Sequence, residues 1–345
     1  MKTKIVYRGN SIANPLNNSV SVPVAVPVVT YSNAAADKSR VLTENKKKSG
    51  IISPWFVTGF SDGECSFQII INSSKESKIG WRIEIRYIIH LHIKDIDLLK
   101  MIQSLFGGIG KIRTEKELSV SYTVTSIKDL AVIIEHYDKY PLITKKRADY
   151  LLFKQGFELI KRKEHLTLEG LKKLVAIKAS MNKGLSPQLK VAFPNTIPVH
   201  RPVVDQVIQD PNWLAGFAEG ESNFTIRVTS SATGKSVSLI FRITQHKRDL
   251  LLMKSIIKFL DCGQVKPRPA ESCVDFIVTK FSDIDGKIIP FFDKYPLTGN
   301  KKLDYLDFCK AAELMKNKTH LTPEGLEKII RIKAGMNTGR KLDLS

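Results

Sequence analysis

From about residue 53 onward the chain switches between two spacings of apolar residues, and each spacing predicts a different element. Phe67, Ile69 and Ile71 alternate with Ser66, Gln68, Ile70 and Asn72, and Ile83, Ile85 and Tyr87 alternate with Arg82, Glu84 and Arg86. A period of two puts one face of a strand on a core and leaves the other outside. Residues 95–105 instead carry apolar side chains at three-to-four spacing, which predicts an amphipathic helix. A second strand pair is expected over Lys111–Thr114 and Val120–Thr125, then helices near Ile127–Tyr137, Lys145–Arg162 and Leu168–Met181. The same succession returns later. Phe224, Ile226 and Val228 alternate with Asn223, Thr225, Arg227 and Thr229, a helical spacing covers Asp249–Leu260, and strands are expected over Val265–Arg268 and Val274–Thr279. The predicted class is α+β.

The recurrence is also literal. Tyr140-Pro141-Leu142 reappears as Tyr295-Pro296-Leu297, Asp149-Tyr150 as Asp304-Tyr305, and His165-Leu166-Thr167 as His320-Leu321-Thr322. An offset of that size is duplication of a whole domain rather than a solenoid period. The expected organisation is a leader over 1–50, one domain over 51–184, a linker over 185–210 and a second domain over 211–345. Pro187, Pro194, Pro198 and Pro202 make the linker a semi-extended tether, and the composition of the leader reads as disordered.

Each half opens on a short helix that ends in a glutamate. The first runs Ser53-Pro54 to Gly63-Glu64, the second Asp210-Pro211 to Gly220-Glu221. Ser53 and Asp210 are good N-caps followed by proline at the first helical position, and Gly63 and Gly220 are expected to serve a left-handed helix end. Gly59 and Gly216 lie mid-helix, where glycine costs about 1 kcal/mol against alanine; at matching positions they predict two helices packed backbone to backbone. Such packing brings Glu64 and Glu221 together at two negative helix C-termini, so a carboxyl pKa should rise unless a cation intervenes. A hard divalent cation would resolve the conflict. Trp55, Trp213, Phe60 and Phe217 read as core anchors of these helices.

Charge names the class of partner. A net charge of +20, from 54 Lys and Arg against 34 Asp and Glu, points to a polyanion and first to nucleic acid. Hydrophobic residues make up 43%, enough for real cores, yet no apolar run is long enough to cross a membrane. Cys65, Cys262, Cys273 and Cys309 show no C-x-x-C spacing and the seven histidines no paired-ligand spacing, which argues against zinc and redox motifs. His165 and His320 sit beside Thr167 and Thr322, which read as N-caps.

The pair Gly-Phe-Ser-Asp-Gly-Glu and Leu-Ala-Gly-Phe-Ala-Glu-Gly-Glu resembles the two motifs of single-chain LAGLIDADG homing endonucleases, the fungal mitochondrial intron-encoded subgroup in particular, over about 53–340. The resemblance implies two pseudo-symmetric αββαββα domains forming a β-saddle around a central helix pair. It implies a monomer that cuts both strands of a double-stranded DNA target, in the mitochondrion, promoting intron mobility. It further implies Mg²⁺ held by Glu64 with the Gly63 carbonyl and by Glu221 with the Gly220 carbonyl, with Lys266 and Gln245 in accessory catalytic roles. Leu91 stands where the second half has Gln245, so the two halves of the site are chemically unequal. The same scaffold also serves an alternative reading, an RNA maturase that binds its host intron RNA and assists splicing.

Strand alternation, in agreement with the family pattern, selects the DNA-reading candidates. They are Ser66, Gln68, Asn72, Arg82, Glu84, Arg86, His90, Lys111 and Arg113 in the first half. In the second they are Asn223, Thr225, Arg227, Thr229, Ser238, Arg242, Thr244, Lys266, Arg268 and Asp275. Arginine on guanine and Asn or Gln on adenine are the usual bidentate pairs.

Overall fold

The computed structural model describes residues 52–340 apart from 117, 232–233 and 269–270; the leader expected over 1–50 lies outside the described residues. The first half runs α1 (Pro54–Glu64), β1 (Cys65–Ser73), β2 (Trp81–His92), α2 (Ile96–Leu105), β3 (Lys111–Lys116), β4 (Ser119–Val124), α3 (Ile127–Lys139), α4 (Lys146–Lys161) and α5 (Leu168–Ala179). A short α6 (Pro187–Ala192) follows. The second half repeats the order with α7 (Pro211–Glu221), β5 (Ser222–Ser231), β6 (Gly234–His246), α8 (Leu250–Leu260), β7 (Gln264–Pro267) and β8 (Cys273–Val278), then α9 (281–294), α10 (Lys301–Lys316) and α11 (Pro323–Ala334). Two antiparallel four-stranded sheets result, ordered β1-β2-β4-β3 and β5-β6-β8-β7. This is the α+β architecture the alternation predicts.

Each sheet buries one face. Phe67, Ile69, Ile71, Ile85, Tyr87 and Ile89 line one core with α3, α4 and α5, while Phe224, Ile226, Leu239, Phe241 and Ile243 line the other. The cores interlock at the helix pair: Ala215 of α7 belongs to the first and Ile143 of the first half to the second. Trp213 is fully buried and stacks on Phe217 at 4.8 Å, whereas Trp55 is half-buried and packs edge-on against Tyr140.

The halves differ where their sequences do. The offset between matching residues rises from 154 at Val124 and Val278 to 155 at Tyr140 and Tyr295. The extra residue is absorbed in α9 as a π turn over Ile284–Ile288, just ahead of Pro290, whereas α3 is regular throughout. A closed ring of buried hydroxyls, Ser61, Tyr87 and Tyr137 at 2.7–3.1 Å, occupies the first core. Ala218, Phe241 and Phe292 hold the matching positions in the second core, and all three are buried.

Caps follow the sequence with one exception. Thr167 and Thr322 accept from Gly170 N and Gly325 N, and Asp210 accepts from Asn212 N at 2.7 Å, but the Ser53 side chain makes no cap bond. Part of the stretch expected as a semi-extended tether is helical. Ser186 caps α6 and Pro187 takes its first position, a start signal like those of α1 and α7, and Leu189 is buried.

Candidate active site

Helices α1 and α7 cross at their glycines. A methyl group on Gly59 would lie 1.9 Å from the Trp213 carbonyl oxygen, and one on Gly216 1.9 Å from that of Phe56. No side chain fits at either point, so the two backbones are in direct contact. This crossing aims both helices, and therefore Glu64 and Glu221, at one place.

Gly63 and Gly220 do not serve as left-handed helix ends. Both helices continue through the glutamate, and neither glycine has a positive φ; Cys65 and Ser222 follow directly in extended backbone. Their smallness serves the opposing carboxylate instead. A methyl group at position 63 would lie 3.0 Å from Glu221 Oε1, and one at position 220 would lie 3.4 Å from Glu64 Oε1. Each carboxylate thus rests against the penultimate glycine of the other helix.

Burial raises both carboxyl pKa values. For Glu64, desolvation pushes upward while the Lys146 and Lys301 charges oppose it. Glu221 is pushed up to about 7, first by burial and then by the neighbouring Glu64 charge. Gln245 faces Glu221 and favours its charged form. Leu91 holds the corresponding position at the end of β2, since Ile89 pairs with Cys65 as Ile243 pairs with Ser222. A cleft of about 680 Å³ opens there, lined among others by Glu64, His90, Leu91, Gly220, Asn223 and Lys301.

Two lysines complete the arrangement, and sequence reasoning missed both. Lys146 Nζ donates to the Gly63 carbonyl at 2.7 Å and the Ser61 carbonyl at 3.0 Å. Lys301 Nζ donates to the Gly220 carbonyl at 3.2 Å and to the Ser222 carbonyl. They begin α4 and α10, and the loops before them are tied down by buried acids. Asp62 accepts from Ile143 N, Thr144 N, the Thr144 hydroxyl and Trp213 Nε1; Glu219 accepts from Thr298 N. Each loop is also held by the opposite half, Lys145 N by Asp249 at 2.7 Å and Asn300 N by Asp95 at 3.0 Å. The signal was present, for Lys146 and Lys301 share the offset of the Tyr-Pro-Leu repeats, but two lysines among 54 basic residues draw no notice.

The strand candidates gather on the outer face of each sheet. Register pairs Gln68 with Arg86, Asn72 with Arg82, and both His90 and Arg113 with Ser121, while Ile70 faces Glu84 and Thr123 faces Lys111. Ser66, Gln68 and Arg86 form a chain, Gln68 donating to Ser66 at 3.1 Å and Arg86 to Gln68 at 2.7 Å. In the second sheet Asn223 pairs with Arg242 and Arg227 with Ser238, Thr229 bonds Ser236 at 2.6 Å, and Thr225 donates to Asn223. Thr244 and Lys266 both face Asp275. Asp275 accepts from Thr244 at 2.7 Å and Arg268 at 2.9 Å, with Arg242 at 3.6 Å. By register Lys266 matches Arg113, and it has no hydrogen bond or ion pair to either carboxylate among the described residues.

The donor chemistry suits a hard ion. Among the described residues no three His, Cys, Asp or Glu side chains surround a metal position, so an ion here would draw on the two carboxylates and on main-chain carbonyls. Neither Glu64 nor Glu221 has a salt-bridge partner among those residues. The Gly63 and Gly220 carbonyls each keep a second lone pair beside the lysine bond. An all-oxygen set with few protein ligands fits an ion that keeps water and takes substrate phosphate. The four cysteines are free, and no described helix is long and apolar enough to cross a membrane.

Comparison with known proteins identifies the family to which this fold belongs. The family model described as LAGLIDADG endonuclease matches residues 57–157 and 214–312. The chain is 44% identical over 283 residues to a probable intron-encoded endonuclease 3 of Neurospora crassa, covering 81% of this chain and 53% of that protein. It thus spans about half the length of that relative. Among solved structures it is similar to the homing endonuclease I-SmaMI bound to cleaved DNA, at 44% identity and TM-score 0.83 over 85% of this chain and 99% of that one. I-SmaMI bound to an uncleaved DNA target in the presence of calcium ions gives 44% and 0.82 over 83% and 99%. With two matching segments, each spanning one glutamate helix and the sheet that follows it, the chain belongs to the LAGLIDADG endonuclease family.

Proposed function

We propose that this protein is a monomeric, site-specific homing endonuclease that hydrolyses one phosphodiester bond in each strand of a DNA duplex. The observation that carries the reading is the convergence of Glu64 and Glu221 at a side-chain-free helix crossing, flanked by two sheets whose outer faces are polar and cationic. A basic, hydrogen-bonding strand surface is suited to the major groove, where base edges are distinguishable. The cation these acids would hold is Mg²⁺, which when bound would supply activation of water and relief of charge on the phosphate.

The protein's own groups do the rest. Glu64 and Glu221 would hold the divalent metal, each aided by a helix-end carbonyl, and the crossing keeps both acids near the centre of the target. Gln245 orients the Glu221 carboxylate, whereas Leu91 offers no such bond beside Glu64. Lys266 and Arg113, at matching register, supply charge toward the backbone of each strand. Arg82, Arg86, Arg227, Arg242 and Arg268 present guanidinium groups to base edges. Its relatives' intron-encoded character supports an intron-homing role, and family resemblance a mitochondrial setting.

The test is selection of cleaved sequences from a randomised duplex library with wild type, Glu64→Gln and Glu221→Gln. Wild type should yield one target family with Mg²⁺, and each variant should bind it within a few-fold yet fail to make double-strand breaks. Loss of binding in both variants would make the acids structural. Tight binding of intron RNA with no DNA cut would select the maturase reading.

A further inference from the structure

Lys146 and Lys301 are misplaced for ordinary helix chemistry. Each is the first residue of its helix, where the macrodipole disfavours a positive charge, and the position repeats in both halves. Neither pairs with a carboxylate among the described residues; Lys146 instead reaches the Ser61 and Gly63 carbonyls, and Lys301 the Ser222 and Gly220 carbonyls, so that each holds the glycine carbonyl directly before an acid at the end of α1 or α7. Those carbonyls are the negative poles of their helices. Both lysine charges act on both glutamates. Burying an ammonium is costly unless it is hydrogen-bonded, and four buried or half-buried groups (Asp62, Asp249, Glu219, Asp95) hold the loops that deliver the two lysines.

We infer that Lys146 and Lys301 are positioning residues that act as resident counter-cations: they fix the Gly63 and Gly220 carbonyls and offset the Glu64–Glu221 repulsion until a divalent ion shares the load. The inference rests on reading the two acids as an ion site. It makes the lysines and the ion partly interchangeable in stability. Removing a lysine should therefore hurt the metal-free protein more than the ion-bound one.

The experiment compares thermal unfolding of the full chain, without DNA, in EDTA and in saturating calcium chloride. For Lys301→Met and Lys146→Met we expect the midpoint to fall by about 5 °C in EDTA and by less than half of that with Ca²⁺. An equal fall in both conditions, or no fall, overturns the inference. Should a lysine variant not fold, the pair Lys301→Met with Glu221→Gln decides, because removing the acid removes the need for the cation. That double variant should recover at least half of the loss, and recovery of none overturns the inference. A wild-type midpoint insensitive to Ca²⁺ would count against the ion site of the proposed function, while the cycle in EDTA still decides the role of the lysines.

Discussion

Replacing Gly59 with alanine adds one methyl group at the helix crossing. That group would lie 1.9 Å from the Trp213 carbonyl oxygen, 2.7 Å from its carbon and 2.9 Å from the Phe217 nitrogen. All three are main-chain atoms of α7, so no side chain can rotate away. Ordinary contact begins near 3.5 Å, and the helices must part by roughly 1.5 Å. A gap of ~0.5–1 Å already forfeits a quarter to a half of each contact's attraction, and the surrounding Val57, Phe60, Trp213 and Phe217 are almost wholly buried. Overpacking of this severity costs about 3–4 kcal/mol, at or beyond the upper end of the usual range. Alanine's better helix propensity offsets about 1 kcal/mol. The net loss, about 2–3 kcal/mol, should lower the melting temperature by about 5–10 °C. Parting the helices also separates Glu64 from Glu221, so double-strand cleavage should drop well beyond the loss of folded protein. Thermal unfolding by circular dichroism, with plasmid cleavage measured well below the variant's midpoint, reads both effects. Gly216→Ala, whose methyl would meet the Phe56 carbonyl at 1.9 Å, should behave alike. A midpoint within about 1 °C of wild type for either variant would refute the backbone contact.

Three further outcomes follow from the same geometry. Asp62→Ala strands four buried donors, among them Trp213 Nε1 at 2.8 Å, and should cost about 4 kcal/mol in urea unfolding; a loss under about 1 kcal/mol would show the loop to be held by other means. Burial lowers His136 to about 4, so the unfolded chain takes up its proton first, and stability present above pH 6.5 is lost as pH falls toward 4, by up to roughly 3 kcal/mol. His136→Phe should flatten that part of the pH–stability curve relative to wild type, and parallel curves would contradict the shift. Asp275→Asn releases Arg242 and Arg268 from their shared carboxylate, and should broaden base preference at one or two adjacent pairs in the cleavage profile while leaving the rest of the target unchanged.

Much of the fold follows from local rules. A period of two in β1, β2 and β5 already says which side chains leave the core, because a strand has only two faces. The duplicated Tyr-Pro-Leu and Asp-Tyr segments announce two like halves, and Gly59 and Gly216 are placed so that only close helix contact accounts for them. Gly63 and Gly220 mislead for a physical reason. A glycine at a helix end is usually there for its φ, and nothing local reveals that the opposing carboxylate needs the space. The helical start at Ser186-Pro187 was legible but outweighed by the prolines around it.

What the chain could not disclose is whatever depends on groups far apart along it. The ion pairing of Asp275 with Arg242, the capture of Asn300 by Asp95 and of Lys145 by Asp249, and the lysines at the helix ends all join distant segments. Periodicity reports the face on which a residue lies, and repetition reports that a position has a twin. Neither reports which carbonyl a lysine will reach, because that direction is set by packing one half against the other.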